Sequence, residues 1–197
     1  MVWMRYLSLV LVLATSLAAA PLAVKNFDTN HSTIGFRVPI AGGMSEVQGK
    51  FTDFAIDVAY DDQNVANSTV TAIIQAASIN TGIADRDKHL RSADFFDVAK
   101  YPEIKFVSSS IEKRPDGFVA HGTFTMHGVS KEIALPFRQT GMKKVPDKNA
   151  IVLGFAAQTK LDRRDYGVNW KHNIDPLFVG NDVDVEIRLI TKLITVP

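Results

Sequence analysis

Apolar residues recur at every second position from Ser32 to the C-terminus, and this period constrains the fold more than any other feature of the chain. Ile34, Phe36 and Val38 share one face, and Val47 and Phe51 share another with Gly49 between them. Past Asp53 the apolar phase moves to Phe54, Ile56, Val58 and Tyr60, the shift that a bulge or bend produces. Val70, Ala72, Ile74 and Ala76 follow a turn at Asp61–Asn64, and Ile104 and Phe106 run on into Ser108 and Ser110. In the turn Pro115-Asp116-Gly117, proline presets one dihedral and glycine accepts a positive one. Beyond it come Phe118, Ala120, Gly122, Phe124 and Met126, the longest strict alternation. The chain returns around Gly128 through Ile133, Leu135 and Phe137. A polar loop is expected at Met142–Asn149, then a strand with Ile151, Leu153, Phe155, Ala157 and Leu161 on one side. Val183, Val185, Ile187, Leu189 and Leu193 close the chain opposite Asp184, Glu186, Arg188 and Lys192.

Short connections make these strands antiparallel, and about eight are expected. One apolar and one polar face per strand suits a sheet curled around an apolar interior. A two-sheet sandwich meets the same demand, and the pattern does not separate them. Eight strands closed into a barrel leave an interior that is just filled or able to hold one small ligand. Gly49, Ala72, Ala76, Ala120, Gly122 and Ala157 are small inward candidates among large aromatics, so a cavity is as compatible with the pattern as a filled interior.

Ile79–Phe106 breaks the alternation. Asp85 and Asp87 followed by Lys88 and Arg91 suit the dipole of a short helix, predicted over Ala84–Arg91. Asp87 and Arg91 are spaced to pair, and Ile83 and Leu90 to share an apolar side. Ser92 or Asp94 would cap a further turn carrying Phe95 and Phe96, and Pro102 forces the chain back to an extended form. Such a plug between strands suggests a lid across a barrel end, flanked by the irregular segment Asp162–Phe178.

The first residues read as a secretory signal, basic at Met1–Arg5 and apolar over Tyr6–Leu17. Cleavage is expected after Ala18, with Ala20 as the alternative, leaving one domain over 19–197 in the periplasm without a membrane anchor. Loss of Arg5 takes the net charge from +1 to 0, which argues against a nucleic-acid partner. There are no cysteines, which excludes disulfides and thiolate metal sites.

No metal site or catalytic group is expected. His89 lies near Asp85 and Asp87 but has no second ligand of its type, so a surface histidine is the favoured reading. His121 and His127 fall about 20 Å apart along one strand, too far to chelate one ion. No serine occupies a glycine-flanked elbow, and Gly128-Val129-Ser130-Lys131-Glu132 is only a hairpin turn. Arg86 and Asp87 are expected to tie the helix to the rim, and Arg163, Arg164 and Asp165 to tie the last long loop.

Seven ordered segments resemble the YceI-like family: HSTIGFRV from His31, SEVQGKF from Ser45, SINTG from Ser78, RDKHLRSADFFDV from Arg86, YPEIKFVS from Tyr101, GTFTMHGVSKEI from Gly122, and RRDYGV from Arg163. The resemblance runs from about Asp28 to Leu193. It implies an exported bacterial protein with an eight-stranded lipocalin-like barrel that holds a polyisoprenoid, such as a quinone tail. One departure is clear. The histidine that members often carry soon after the first strand is absent, and Val38-Pro39-Ile40 stands there, so a mouth with apolar Ile40 and Met44 is expected. The implied ligand contacts are Phe36, Phe51, Ile74, Phe106, Phe124, Met126, Phe137, Phe155 and Trp170. The expected function is an exported, non-enzymatic binding protein for a polyisoprenoid or quinone-like lipid, with no other cofactor, serving transport, storage or stress protection. A homodimer and transient membrane contact are compatible with this. The alternative is an exported structural or stress-response barrel with no ligand.

Overall fold

The computed structural model describes residues 22–24, 27–61 and 64–195; the expected signal segment, 1–18, lies outside them. Among the described residues, twelve strands form one antiparallel sheet. They are β1 (Leu22–Val24), β2 (Thr33–Ile40), β3 (Ser45–Phe51), β4 (Phe54–Tyr60), β5 (Thr69–Gln75), β6 (Ile79–Asn80), β7 (Glu103–Arg114), β8 (Gly117–Met126), β9 (Val129–Val145), β10 (Ala150–Asp162), β11 (Asp182–Ile190) and β12 (Ile194–Thr195). A helix, α1 (Ala84–Arg91), lies between β6 and β7, over the residues its charge pattern predicts.

The expected count of eight strands is therefore corrected to twelve, and the physical reason is local. The run from Ser45 to Tyr60 breaks at Thr52–Asp53, where the apolar phase shifts, and Phe51 and Phe54 are both buried. The facing run breaks at the 3-10 turn Ala76–Ser78. Side chains stitch this corner: Thr52 Oγ1 donates to the Ser78 carbonyl at 3.1 Å, and Ser78 Oγ to the Gln75 carbonyl at 2.7 Å. Two short strands at the chain ends, β1 on β4 and β12 on β10, complete the twelve.

The sheet curls into a barrel. From β5 the ladder passes through β7, β8, β9, β10 and β11 to β2, and β2 pairs with β3, whose chain runs on into β4 beside β5. One end, here termed the lid end, carries the β2–β3 turn, α1 with the segment after it, the β8–β9 turn and the loop 163–181. The other end carries the β4–β5, β7–β8 and β9–β10 turns.

Two further expectations are corrected. The loop expected at Met142–Asn149 is largely strand, because β9 and β10 stay paired out to Val145 and Ala150. On β7 a bulge between Ser108 and Ser110 moves the inward phase to Ile111, so Ser108 is buried and Ser110 exposed. Gly122 on β8 faces that bulge rather than the interior. A Cβ there would lie 2.3 Å from the Val107 carbonyl oxygen and 2.6 Å from Ser108 Cα. Gly122→Ala should therefore destabilise the fold by about 1–3 kcal/mol through overpacking, measured by urea unfolding. Gly141→Ala, with nothing within 4 Å of its Cβ, serves as the unperturbed control. Equal stability of the two variants would show that the bulge gives way freely.

Candidate ligand-binding cavity

The inward side chains do not meet in the middle of the barrel. They enclose a cavity of about 1140 Å³, above the 300–1,000 Å³ usual for small-molecule pockets. Its lining runs from Val65 and Ser68 at the far end to His172 and Phe178 at the lid end, the length of the barrel. The wall is built by the alternation itself: Ile133, Leu135 and Phe137 on β9, Ile151, Leu153 and Phe155 on β10, and Val183, Val185, Ile187 and Leu189 on β11 all reach it.

All nine sequence-predicted contact residues, Phe36, Phe51, Ile74, Phe106, Phe124, Met126, Phe137, Phe155 and Trp170, line this cavity. Of the six small candidates, Ala72, Ala120 and Ala157 line it. Gly49 acts differently. A Cβ there would sit 2.4 Å from Phe36 Cζ, so the glycine lets that ring lie flat on β3. Ile40 lines the cavity as expected, whereas Met44 points to solvent.

The lid end is closed by aromatic contacts. Phe51 lies 5.8 Å from Phe36 and meets Phe96 edge-on at 6.0 Å. Trp170 packs on Phe95 at 5.1 Å, and the His89 ring stands edge-on to both, 5.0 Å from Phe95 and 5.3 Å from Trp170. His89 Nε2 donates to Asp94 at 2.8 Å. Tyr166 is buried, meets Phe124 edge-on at 5.2 Å, and has its hydroxyl pKa pushed up by that burial. The sequence did not single out His89, Tyr166 or His172 as part of the lining, because each sits outside the alternating strands.

Polar groups fasten the lid. The expected Asp87–Arg91 pair does not form. Asp87 instead accepts from the Thr81 backbone N–H at 2.9 Å and from its hydroxyl, while Arg91 donates to the Ala77 and Ile79 carbonyls. Arg86 donates to Thr81 Oγ1 and its carbonyl. All three side chains therefore tie α1 back to the end of β6, where they outcompete an exposed side-chain pair. Ile83 is exposed rather than sharing a buried face with Leu90, because it precedes the first helical turn. No side chain caps α1 at Ile83, and beyond the helix Ser92 Oγ accepts from the Asp94 N–H.

Arg163 does the same for the long loop. It is 6 % exposed and donates to the Val168, Val179 and Gly180 carbonyls and to Asn181 Oδ1. Burial pulls its guanidinium below the ordinary arginine range. Arg164 pairs instead with Asp162, whose carboxyl its hydrogen bond holds down to about 2, and Asp165 pairs with Lys131 at 2.9 Å. Among the described residues, no three histidine, aspartate or glutamate side chains gather as a metal-binding group, and no helix is long and apolar enough to cross a membrane. His121 pairs with Glu112 on the barrel exterior, and His127 sits in the β8–β9 turn, where Nδ1 donates to the Tyr166 carbonyl.

A curled antiparallel sheet around a long apolar cavity, plugged by a helix and an arginine-clasped loop, defines a ligand-holding barrel. The model of the YceI-like domain matches residues 26–191, and the chain belongs to that family. It is 37% identical over 158 residues to the UPF0312 protein plu2095 of Photorhabdus laumondii, covering 80% of each chain. Among solved structures it resembles the Campylobacter jejuni YceI protein, with 30% identity, a TM-score of 0.66 and coverage of 75% of this chain and 85% of that one. The fold is shared with a polyisoprenoid binding domain from Saccharophagus degradans, at 14% identity and a TM-score of 0.60, covering 88% and 99%.

Replacing Arg163 with alanine should lower stability by about 3 kcal/mol, since several buried carbonyls would lose a charged donor. Urea unfolding measures this, with Arg164→Ala as the comparison; similar losses in the two variants would refute the clasp.

Proposed function

We propose that this protein holds one long isoprenoid in its barrel, as a carrier or store working outside the cytoplasm without covalent chemistry or a metal. The observation that carries the reading is the size and lining of the cavity. At about 1140 Å³ and running the length of the barrel, it has room for a hydrocarbon of several five-carbon units. Compact apolar ligands would leave most of this length unfilled, whereas a thread-like hydrocarbon uses it. Burying several hundred Å² of such a chain at ~25 cal/mol/Å² gives of order 10–15 kcal/mol before ordering costs.

The arginine, lysine and histidine side chains of the lining, Arg86, His89, Lys160, Arg163 and His172, all lie towards the lid end, whereas the far end offers only the small Ser68 hydroxyl beside Val65, which favours a polar head group at the lid and the tail at the far end. The Saccharophagus degradans neighbour, described as polyisoprenoid binding, supports the ligand class through the shared fold. The nine aromatic and aliphatic residues named above would be the contacts.

Organic-solvent extraction and mass spectrometry of natively produced protein should find a stoichiometric long-chain isoprenoid. Added isoprenoid should raise the melting temperature of stripped protein as RT ln(1 + [L]/Kd) requires. Phe124→Asp, which puts a charge in the wall, should abolish that rise while keeping the β-sheet circular dichroism. Neither bound lipid nor uptake by the wild type would leave a ligand-free structural barrel as the better reading.

A further inference from the structure

Large apolar side chains stand exposed at seven of the described positions, and four of them, Met44, Ile83, Ile174 and Leu177, lie at the lid end. Three of these share two loops that touch. Ala41 N–H donates to the Phe178 carbonyl at 2.8 Å, and Gly180 N–H to the Pro39 carbonyl at 2.8 Å, so the β2–β3 turn and the 171–178 loop form one projecting edge. On it Met44 is 86 %, Ile174 89 % and Leu177 76 % exposed. This exposure is built, not left over. His172 Nδ1 accepts from the Ile174 and Asp175 N–H groups, Asp175 Oδ1 accepts from the Leu177 N–H, and the turn they form holds both aliphatic side chains outward.

We propose that this edge is a bilayer-docking surface, through which the barrel meets a membrane while its ligand enters or leaves. The occupant follows from continuity with the cavity. His172 and Phe178, which bracket the exposed tip, themselves line the interior, and Ile40, one residue before the β2–β3 turn, does too. The exposed apolar tips thus stand beside residues that line the barrel mouth, where a chain insoluble in water must pass between a bilayer and the interior. The charges also fit. Val38–Ser45 carries none, and the tip of the other loop carries only Lys171 and Asp175, which cancel. Insertion therefore rests on apolar contact, and a zwitterionic bilayer suffices. The inference builds on the isoprenoid-binding reading, yet vesicle docking is measurable without any ligand.

The test is co-sedimentation of the wild-type protein with phosphatidylcholine vesicles, alongside the triple variant Met44→Ser, Ile174→Ser, Leu177→Ser. Val107→Ser, on an exposed side of the wall, is the control. Wild type and control should bind alike, with little change between 50 mM and 500 mM salt, and the triple variant should bind about 100-fold more weakly. Uptake of isoprenoid from vesicles should slow in the triple variant while uptake from detergent solution stays at the wild-type level. Absence of wild-type binding, or equal binding by the triple variant, overturns the proposal. So does a wild-type dimer in sedimentation velocity that the triple variant dissociates without any vesicle binding, since the edge would then be a contact between copies of this chain. Failure of detergent uptake in the wild type would refute the isoprenoid reading instead, with the docking result standing apart from it.

Discussion

The antiparallel ladder governs everything else in this molecule. With β2 paired to both β11 and β3, and β4 to β5, the sheet wraps around one axis and alternate side chains of its strands point towards it. The circumference, not the choice of any one residue, then decides whether they meet. Here Phe106 and Phe124 pair across neighbouring strands β7 and β8, and Phe118 stacks on Phe137 at 5.2 Å across β8 and β9, so the rings pack along the wall. Aromatics that satisfy one another sideways leave the axis open, and that is the origin of the cavity.

The same ladder explains the lid. At Thr52–Asp53 and Ala76–Ser78 the two facing strands bend together, and β6 survives for only two residues beyond the corner. The chain leaves the sheet there at Thr81, and α1 follows at once. The helix is short and predominantly polar on its surface, so its place comes from the tethers of Arg86, Asp87 and Arg91 to Thr81, Ala77 and Ile79. Phe95 and Phe96, just past it, supply the apolar contact that the helix lacks.

What could be read in advance divides along the same line. Inward positions on β11, and on β8 all but Gly122, follow from period two alone. The phase shift after Asp53 announced the corner, and the run of charges announced α1 to the residue. The bulge on β7 was hidden, since Ser108 and Ser110 read equally well in a regular strand until Gly122 is seen pressed against Val107. Trp170 was legible only as an aromatic in a polar loop. His89 and Tyr166 were not, because their approach to Phe95, Trp170 and Phe124 depends on how two loops fold over the barrel end. Arg163 looked like one member of a charged cluster. Only the fold shows that its partners are uncharged carbonyls and an amide, whereas Arg164 beside it keeps the carboxylate.

The cavity also fixes where stability resides. A void left by truncating a packed core costs about 24 cal/mol per Å³, which for 1140 Å³ would be about 27 kcal/mol. That exceeds the 5–15 kcal/mol by which native proteins are stable, so this space cannot be a defect in an otherwise solid core. The fold must instead be held by its wall and its two ends: the ladder bonds, the sideways aromatic contacts, Thr191 bridging to Leu153 at the far end, and the Arg163 clasp at the lid. A wall that does not depend on filling its centre can admit a long ligand without unfolding first. Residues facing the axis therefore contribute less to stability than their burial suggests.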